Sequence, residues 1–261
     1  MFEEVLAARL GPRASGGGML RRVLKIAGRT ESDVDALTQP IYGQWATGDM
    51  PISTTILAVL GQIELHLSAV AGNRAEGDAV LDRAVASLRQ ALGASVYSVD
   101  GRGLEFVVGD LLRAEGWKVA TAESCTGGLL ASRICDVPGS SDYFDRGAVV
   151  YSNRAKVDWL GVPPALLEEH GAVSEPVAQA MADGIRIRAG VDVGIGVTGI
   201  AGPGGGTASK PVGTVALAVV SPRGVQVRTV QFFGDREQVK FQSTQTAMNM
   251  LRLGLLAGHR D

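Results

Sequence analysis

Trp117-Lys118-Val119-Ala120-Thr121-Ala122-Glu123-Ser124-Cys125-Thr126-Gly127-Gly128 is the stretch that decides the fold. Residues 117–122 read as a strand, and the polar glycine loop after them leads into a helix. A loop at a strand's carboxyl edge, backed by a helix N-terminus, is where open α/β sheets receive anions and small ligands. Upstream, the Asp100-Gly101 turn precedes an amphipathic helix carrying Leu104, Val107, Val108, Leu111 and Leu112. Downstream, the pattern predicts a strand over 148–151, a short helix over 155–160 and a helix capped by Ser174 with Glu175 and Pro176 in its first turn. A buried strand over 191–197 ends at Thr198. A glycine loop over 202–207 and a hairpin of 214–220 with 225–232 follow, and Asp235 with Gln238 forms a capping box for the last helix.

The first hundred residues read differently. A helix-like stretch over 2–10 ends in Gly11-Pro12, and Ala14-Ser15-Gly16-Gly17-Gly18 reads as a linker. Then come a strand over 20–26 and a helix through Val34 and Leu37 capped by Ser32. A strand follows in which Ile63, Leu65 and Leu67 alternate with Glu64, His66 and Ser68, and an amphipathic helix runs over 75–92. The expected organisation is a remnant or linker over 1–19, a small α+β domain over 20–98 and an α/β domain over 99–261.

A chain of 261 residues with 35 glycines and a formal charge of −2 is globular, rich in tight turns, and lacks the basic surplus that a phosphate backbone requires. The 2 cysteines, Cys125 and Cys135, form no CxxC, and the 3 histidines are scattered, so no metal site is expected. No apolar run approaches the roughly 20 residues of a membrane span, and the acidic start is no signal peptide, which predicts a cytoplasmic protein with no membrane partner.

Gly194-Ile195-Gly196-Val197-Thr198-Gly199 matches GxGxxG but lies inside an apolar strand with no helix after it, so the dinucleotide mechanism lacks its context. The 202–207 loop is no P-loop, because no Gly-Lys-Ser/Thr follows; its place after Thr198 still suits a ligand. Pro138-Gly139-Ser140-Ser141, Arg146-Gly147 and Tyr151-Ser152-Asn153-Arg154-Ala155-Lys156 are denser in hydroxyl and basic groups than a structural element needs. A lysine whose pKa is lowered by burial deprotonates a serine without histidine. Spacing alone leaves open a surface lysine beside Asp158. It also leaves open Cys125 as nucleophile, with Glu123 and Lys156 completing the set, or as a small buried thiol.

These segments resemble the C-terminal domain of the competence/damage-inducible CinA proteins, also called the nicotinamide mononucleotide deamidase family. The likeness runs through residues 122–128, Gly139-Ser140-Ser141 with Phe144, Arg146 and Gly147, Tyr151-Ser152-Asn153 with Lys156, and Leu160-Gly161-Val162. It continues through residues 170–174, residues 198–206 and Lys210-Pro211-Val212-Gly213-Thr214. Residues 20–97 resemble the family's KH-like middle domain, and residues 1–18 the tail of a preceding domain. That preceding domain is similar to molybdopterin-binding proteins in longer members, and its pyrophosphatase activity is not carried over. No GxxG occurs in the first hundred residues, so nucleic-acid binding is not expected.

The resemblance implies a three-layer α/β/α sandwich around a mixed sheet, and hydrolysis of nicotinamide mononucleotide to nicotinic acid mononucleotide and ammonia with no cofactor. It implies Ser141 as nucleophile, Lys156 as general base, and Tyr151 and Thr198 as orienting groups. Ser124, Thr126 and Gly127 would line the substrate pocket, with Arg236 at the phosphate or ribose. A homo-oligomer is expected. The rival reading is a nucleotide-sensing or protein-interaction module in competence or DNA repair, with a recombinase as partner.

Overall fold

The computed structural model describes residues 18–258 apart from 48 and 60. The expected helix over 2–10 and all of the linker but Gly18 lie outside the described residues. The chain divides into two compact units between Arg102 and Gly103, just past the Asp100-Gly101 turn.

The first unit runs β1 (Gly18–Ile26), α1 (Glu31–Tyr42), β2 (Ile52–Val59), β3 (Gln62–Ala71), α2 (Arg74–Leu92) and β4 (Val96–Ser98). Its antiparallel sheet has the order β2-β3-β1-β4. The period of two in β3 sends Ile63, Leu65, Leu67 and Ala69 into one core with Leu24 and Ile26 of β1, Val34 of α1, and Leu81 and Leu88 of α2. Helix α1 is capped one residue before its start by Thr30, not by Ser32. The Thr30 hydroxyl accepts from Asp33 N–H at 3.2 Å and the Asp33 carboxylate accepts from Thr30 N–H at 3.3 Å, a reciprocal box that Ser32 is too far along the chain to make. Strand β2 was not expected, although Ile52-Ser53-Thr54-Thr55-Ile56 is rich in β-branched residues.

The second unit runs α3 (Leu104–Glu115), β5 (Val119–Glu123), α4 (Leu129–Cys135), β6 (Phe144–Val149), α5 (Asn153–Leu160), α6 (Pro164–His170), α7 (Glu175–Ala189), β7 (Val193–Gly199), β8 (Thr214–Ser221), β9 (Gly224–Gln231) and α8 (Arg236–Ala257). The sheet order is β6-β5-β7-β8-β9, with β6, β5 and β7 parallel and β8 and β9 antiparallel to their neighbours. Helices α5, α6 and α7 cover one face and α3, α4 and α8 the other, giving three layers. The fold is the α/β/α sandwich with a mixed sheet, preceded by a small α+β unit.

Two glycines set the distance between α7 and the sheet. A Cβ at Gly194 would lie 2.1 Å from Ala182 O, and one at Gly196 would lie 2.1 Å from Ala178 O. The GxGxxG match therefore records close helix–strand packing. Alternation along β5 sends Ala120 and Ala122 towards α7, leaving Thr121 and Glu123 for the α4 face. The strand expected over 148–151 is Phe144–Val149, starting four residues earlier and ending two earlier, and Val150 N–H still donates to Glu123 O at 2.8 Å. Helix α6 had no counterpart in the sequence reading. Among the described residues, no helix is long and apolar enough to cross a membrane.

Candidate active site

Three parallel strands end at the same edge of the sheet, and the residues leaving them enclose a cavity of about 250 Å³. Ser124 and Cys125 follow β5, Tyr151 and Asn153 follow β6, Thr198 and Gly199 end β7 with the loop after it running on to Gly205, and Arg236 enters from the start of α8. This is the edge at which α/β sheets place ligands.

Lys156 reaches the cavity from α5. The Ser152 hydroxyl caps that helix by accepting Ala155 N–H at 3.0 Å, and Gly161 ends it in the left-handed region at φ 72°. Only 1% of Lys156 is exposed. Its ammonium nitrogen stands 3.0 Å from Val150 O, 3.2 Å from Tyr151 O and 3.1 Å from Ser124 Oγ. Burial lowers its pKa from the ordinary lysine value, since the charged form loses hydration that no carboxylate replaces. A neutral amine has two N–H bonds and one lone pair. The ammonium donates to both carbonyls and to Ser124 Oγ, and the Ser124 hydroxyl is 3.5 Å from Tyr151 O; a neutral amine that kept the two carbonyl bonds would turn its lone pair to the Ser124 hydroxyl.

Ser124 is held by the sheet. Its N–H donates to Val197 O at 2.9 Å, and its carbonyl accepts Gly127 N–H at 3.1 Å, closing the turn. The adjoining Cys125 is buried, and desolvation pushes its thiol up to about 12, so a thiolate is inaccessible near neutrality. Glu123 does not reach Lys156; its carboxylate accepts backbone N–H groups of Gly128, Leu130 and Ala131. Of the two readings left open for Cys125, the structure has the small buried thiol, with the Glu123 carboxylate turned to backbone N–H groups.

Ser141 is at the opposite end of the sheet from Lys156. It sits exposed in the Ser140–Asp142 turn before β6, where Arg113 donates to Pro138 O and Gly139 O and pairs with Asp142. Val119 pairs with Phe144, so Ser141 lies by the amino edge while Ser124 and Tyr151 leave the carboxyl edge. A five-residue strand separates them, about 16 Å at the usual rise. The density of hydroxyls along the chain concealed this, because β6 runs between the two groups.

The other expected residues divide. Tyr151 contributes its carbonyl to Lys156, while the residue is 61% exposed and its hydroxyl accepts from Arg236 Nη2 at 3.2 Å. Arg236 also donates from Nη1 to Gly202 O at 2.8 Å, joining the glycine loop to Tyr151. Its position follows from the Asp235/Gln238 capping box, in which both reciprocal bonds are 2.9 Å. Thr198 lines the cavity, but its hydroxyl donates to Ala172 O at 2.9 Å and touches neither Ser124 nor Lys156. Thr126 is fully buried and Gly127 makes the turn at φ 62°; neither lines the cavity. Asn153, which had no assigned role, does line it. Among the described residues, no protein group accepts the N–H of Gly204 or Gly205, and no cluster of metal-ligating side chains occurs.

Residues 102–255 match the family model for the CinA C-terminal domain, and residues 21–98 match that for the KH domain of the damage-inducible protein CinA. The chain belongs to the CinA family. A CinA-like protein from Koribacter versatilis is 43% identical over 256 residues, covering 98% of this chain and 61% of the relative. A putative competence-damage inducible protein from Moorella thermoacetica is 44% identical over 261 residues, covering 98% of this chain and 62% of the relative. The chain thus spans about three-fifths of the length of these CinA relatives. Among solved structures, a CinA superfamily protein from Klebsiella pneumoniae superposes with a TM-score of 0.57 at 39% identity, covering 59% of this chain and 96% of that one. A competence/damage-inducible protein from Agrobacterium tumefaciens gives 0.55 at 40% identity, covering 59% of this chain and 97% of that one.

Proposed function

We propose that the second unit hydrolyses the carboxamide of nicotinamide mononucleotide, giving nicotinic acid mononucleotide and ammonia, with Ser124 as nucleophile and Lys156 as proton carrier. The observation that carries this is the 3.1 Å contact between Ser124 Oγ and a buried lysine whose two other partners are carbonyls. Neutral Lys156 takes the Ser124 proton as Oγ attacks the carboxamide carbon. The resulting ammonium returns the proton to the amide nitrogen, the C–N bond breaks, and ammonia leaves an ester on Ser124. Water, deprotonated by Lys156, then attacks the ester carbonyl; the acid leaves and Ser124 regains its proton. Reassigning the nucleophile from Ser141 to Ser124 requires nothing else in the chemistry to change.

The phosphorylated end of the substrate is supported by the cationic Arg236 and by the Gly204 and Gly205 N–H groups, which have no protein acceptor among the described residues. The cavity is slightly smaller than the roughly 300 Å³ at the low end of ligand pockets, enough for the amide-bearing ring with the phosphate at the mouth. The test is ammonia release from nicotinamide mononucleotide against the unphosphorylated nucleoside. A phosphorylated substrate turned over with at least tenfold higher kcat/KM supports the reading; binding with no ammonia from either would replace it with a nucleotide-sensing module.

A further inference from the structure

We infer that Glu123 is a positioning residue for the Ser124 nucleophile, its buried carboxylate serving as the clamp that fixes the serine-bearing turn against Lys156. This rests on the assignment of Ser124 and Lys156 to the reaction. Glu123 is 1% exposed, and among the described residues no lysine or arginine pairs with it. Three backbone groups solvate it instead. Gly128 N–H and Leu130 N–H donate to Oε2, each at 3.0 Å, and Ala131 N–H donates to Oε1 at 2.8 Å, with the Thr121 hydroxyl 3.5 Å from the same oxygen. A buried carboxylate with no countercharge is costly, and these donors are what make it tolerable.

The consequence for Ser124 is geometric. On its amino side the chain is fixed by the sheet, through Val150 N–H to Glu123 O and Ser124 N–H to Val197 O. On its carboxyl side the turn passes through Gly127 and Gly128, both at positive φ, with Gly127 N–H donating to Ser124 O. The Glu123 side chain reaches across that turn and holds the far side, so Ser124 is tied at both ends. Neither carboxylate oxygen touches the cavity, so Glu123 acts through Ser124.

Glu123→Gln removes the clamp while keeping its size. The amide offers one acceptor oxygen and turns its NH2 towards at least one backbone donor. Glu123→Asp keeps the charge with a shorter reach. The experiment measures ammonia release, and separately the rate and stoichiometry with which a fluorophosphonate probe labels Ser124 in the full chain. Glu123→Gln should lower kcat and the labelling rate about 10- to 100-fold, as misplacement of a reacting group by an ångström does, with KM within twofold and labelling still reaching one per chain. Glu123→Asp should fall between it and the wild type. Unchanged rates, or a loss matched by an equal loss of labelling stoichiometry, would overturn the inference, since the latter is the mark of partial unfolding. If Glu123→Gln does not fold, Glu123→Asp decides: slowed labelling at full stoichiometry supports the clamp, and a wild-type rate rejects it. Labelling of the wild type without ammonia release removes only the choice of substrate, whereas a wild type that does not label removes the nucleophile and the clamp together.

Discussion

In the proposed reaction, the protonation of one buried amine governs the site. Lys156 has its pKa lowered by burial, and only its neutral form has a lone pair for the Ser124 proton. The kcat/KM profile should therefore rise with pH as Lys156 loses its proton and then level off, a limb measured by initial rates across a buffer series. Lys156→Arg, which keeps the charge and cannot deprotonate, should lose activity by at least a thousandfold. Stability should follow the same group. Between the depressed folded value and about 10.4 in the unfolded chain, the unfolded state binds more protons, so stability increases with pH through that window. In Lys156→Met this contribution should vanish, which denaturant midpoints at several pH values would detect. At this scale the sequence puts Lys156 with Ser141, whereas the structure stands Lys156 beside Ser124. Ser141 and Ser124 both lie in glycine-flanked polar segments, and only the direction of β6 tells which of them shares an edge with Lys156.

At the scale of elements, most of the fold was written in local pattern. The alternation in β3, the stripe of α2 and the capping box of α8 each have one physical reading, and the structure contains all of them. Less legible were segments governed by packing, such as β2 and α6, and strand ends set by where pairing stops. The close approach of α7 to β7 shows why a motif without its context misleads. Gly196→Ala should destabilise the unit by about 1–3 kcal/mol, as overpacking does, because its Cβ would meet Ala178 O at 2.1 Å; equilibrium denaturation would show the shift in midpoint. Arg236→Ala should act on binding, raising KM for a phosphorylated substrate at least tenfold with a smaller change in kcat, read from steady-state kinetics.

For the whole molecule, the division at Arg102/Gly103 puts every residue of the cavity in the second unit. The solved Klebsiella relative is matched over 96% of its length by 59% of this chain. Residues 103–261 expressed alone should retain kcat within a factor of about three. The sequence reading draws its boundary at 98/99, from the Asp100-Gly101 turn and the amphipathic helix and strand after it, and the compact units divide at Arg102/Gly103. The arrangement of three loops around one cavity lay beyond it, because that depends on strand order.

The most direct test of the account compares Ser124→Ala with Ser141→Ala in ammonia release from nicotinamide mononucleotide, both variants being checked for native unfolding midpoints. The account predicts that Ser124→Ala abolishes release while Ser141→Ala retains the wild-type rate. Loss of activity in Ser141→Ala with a competent Ser124→Ala would contradict it.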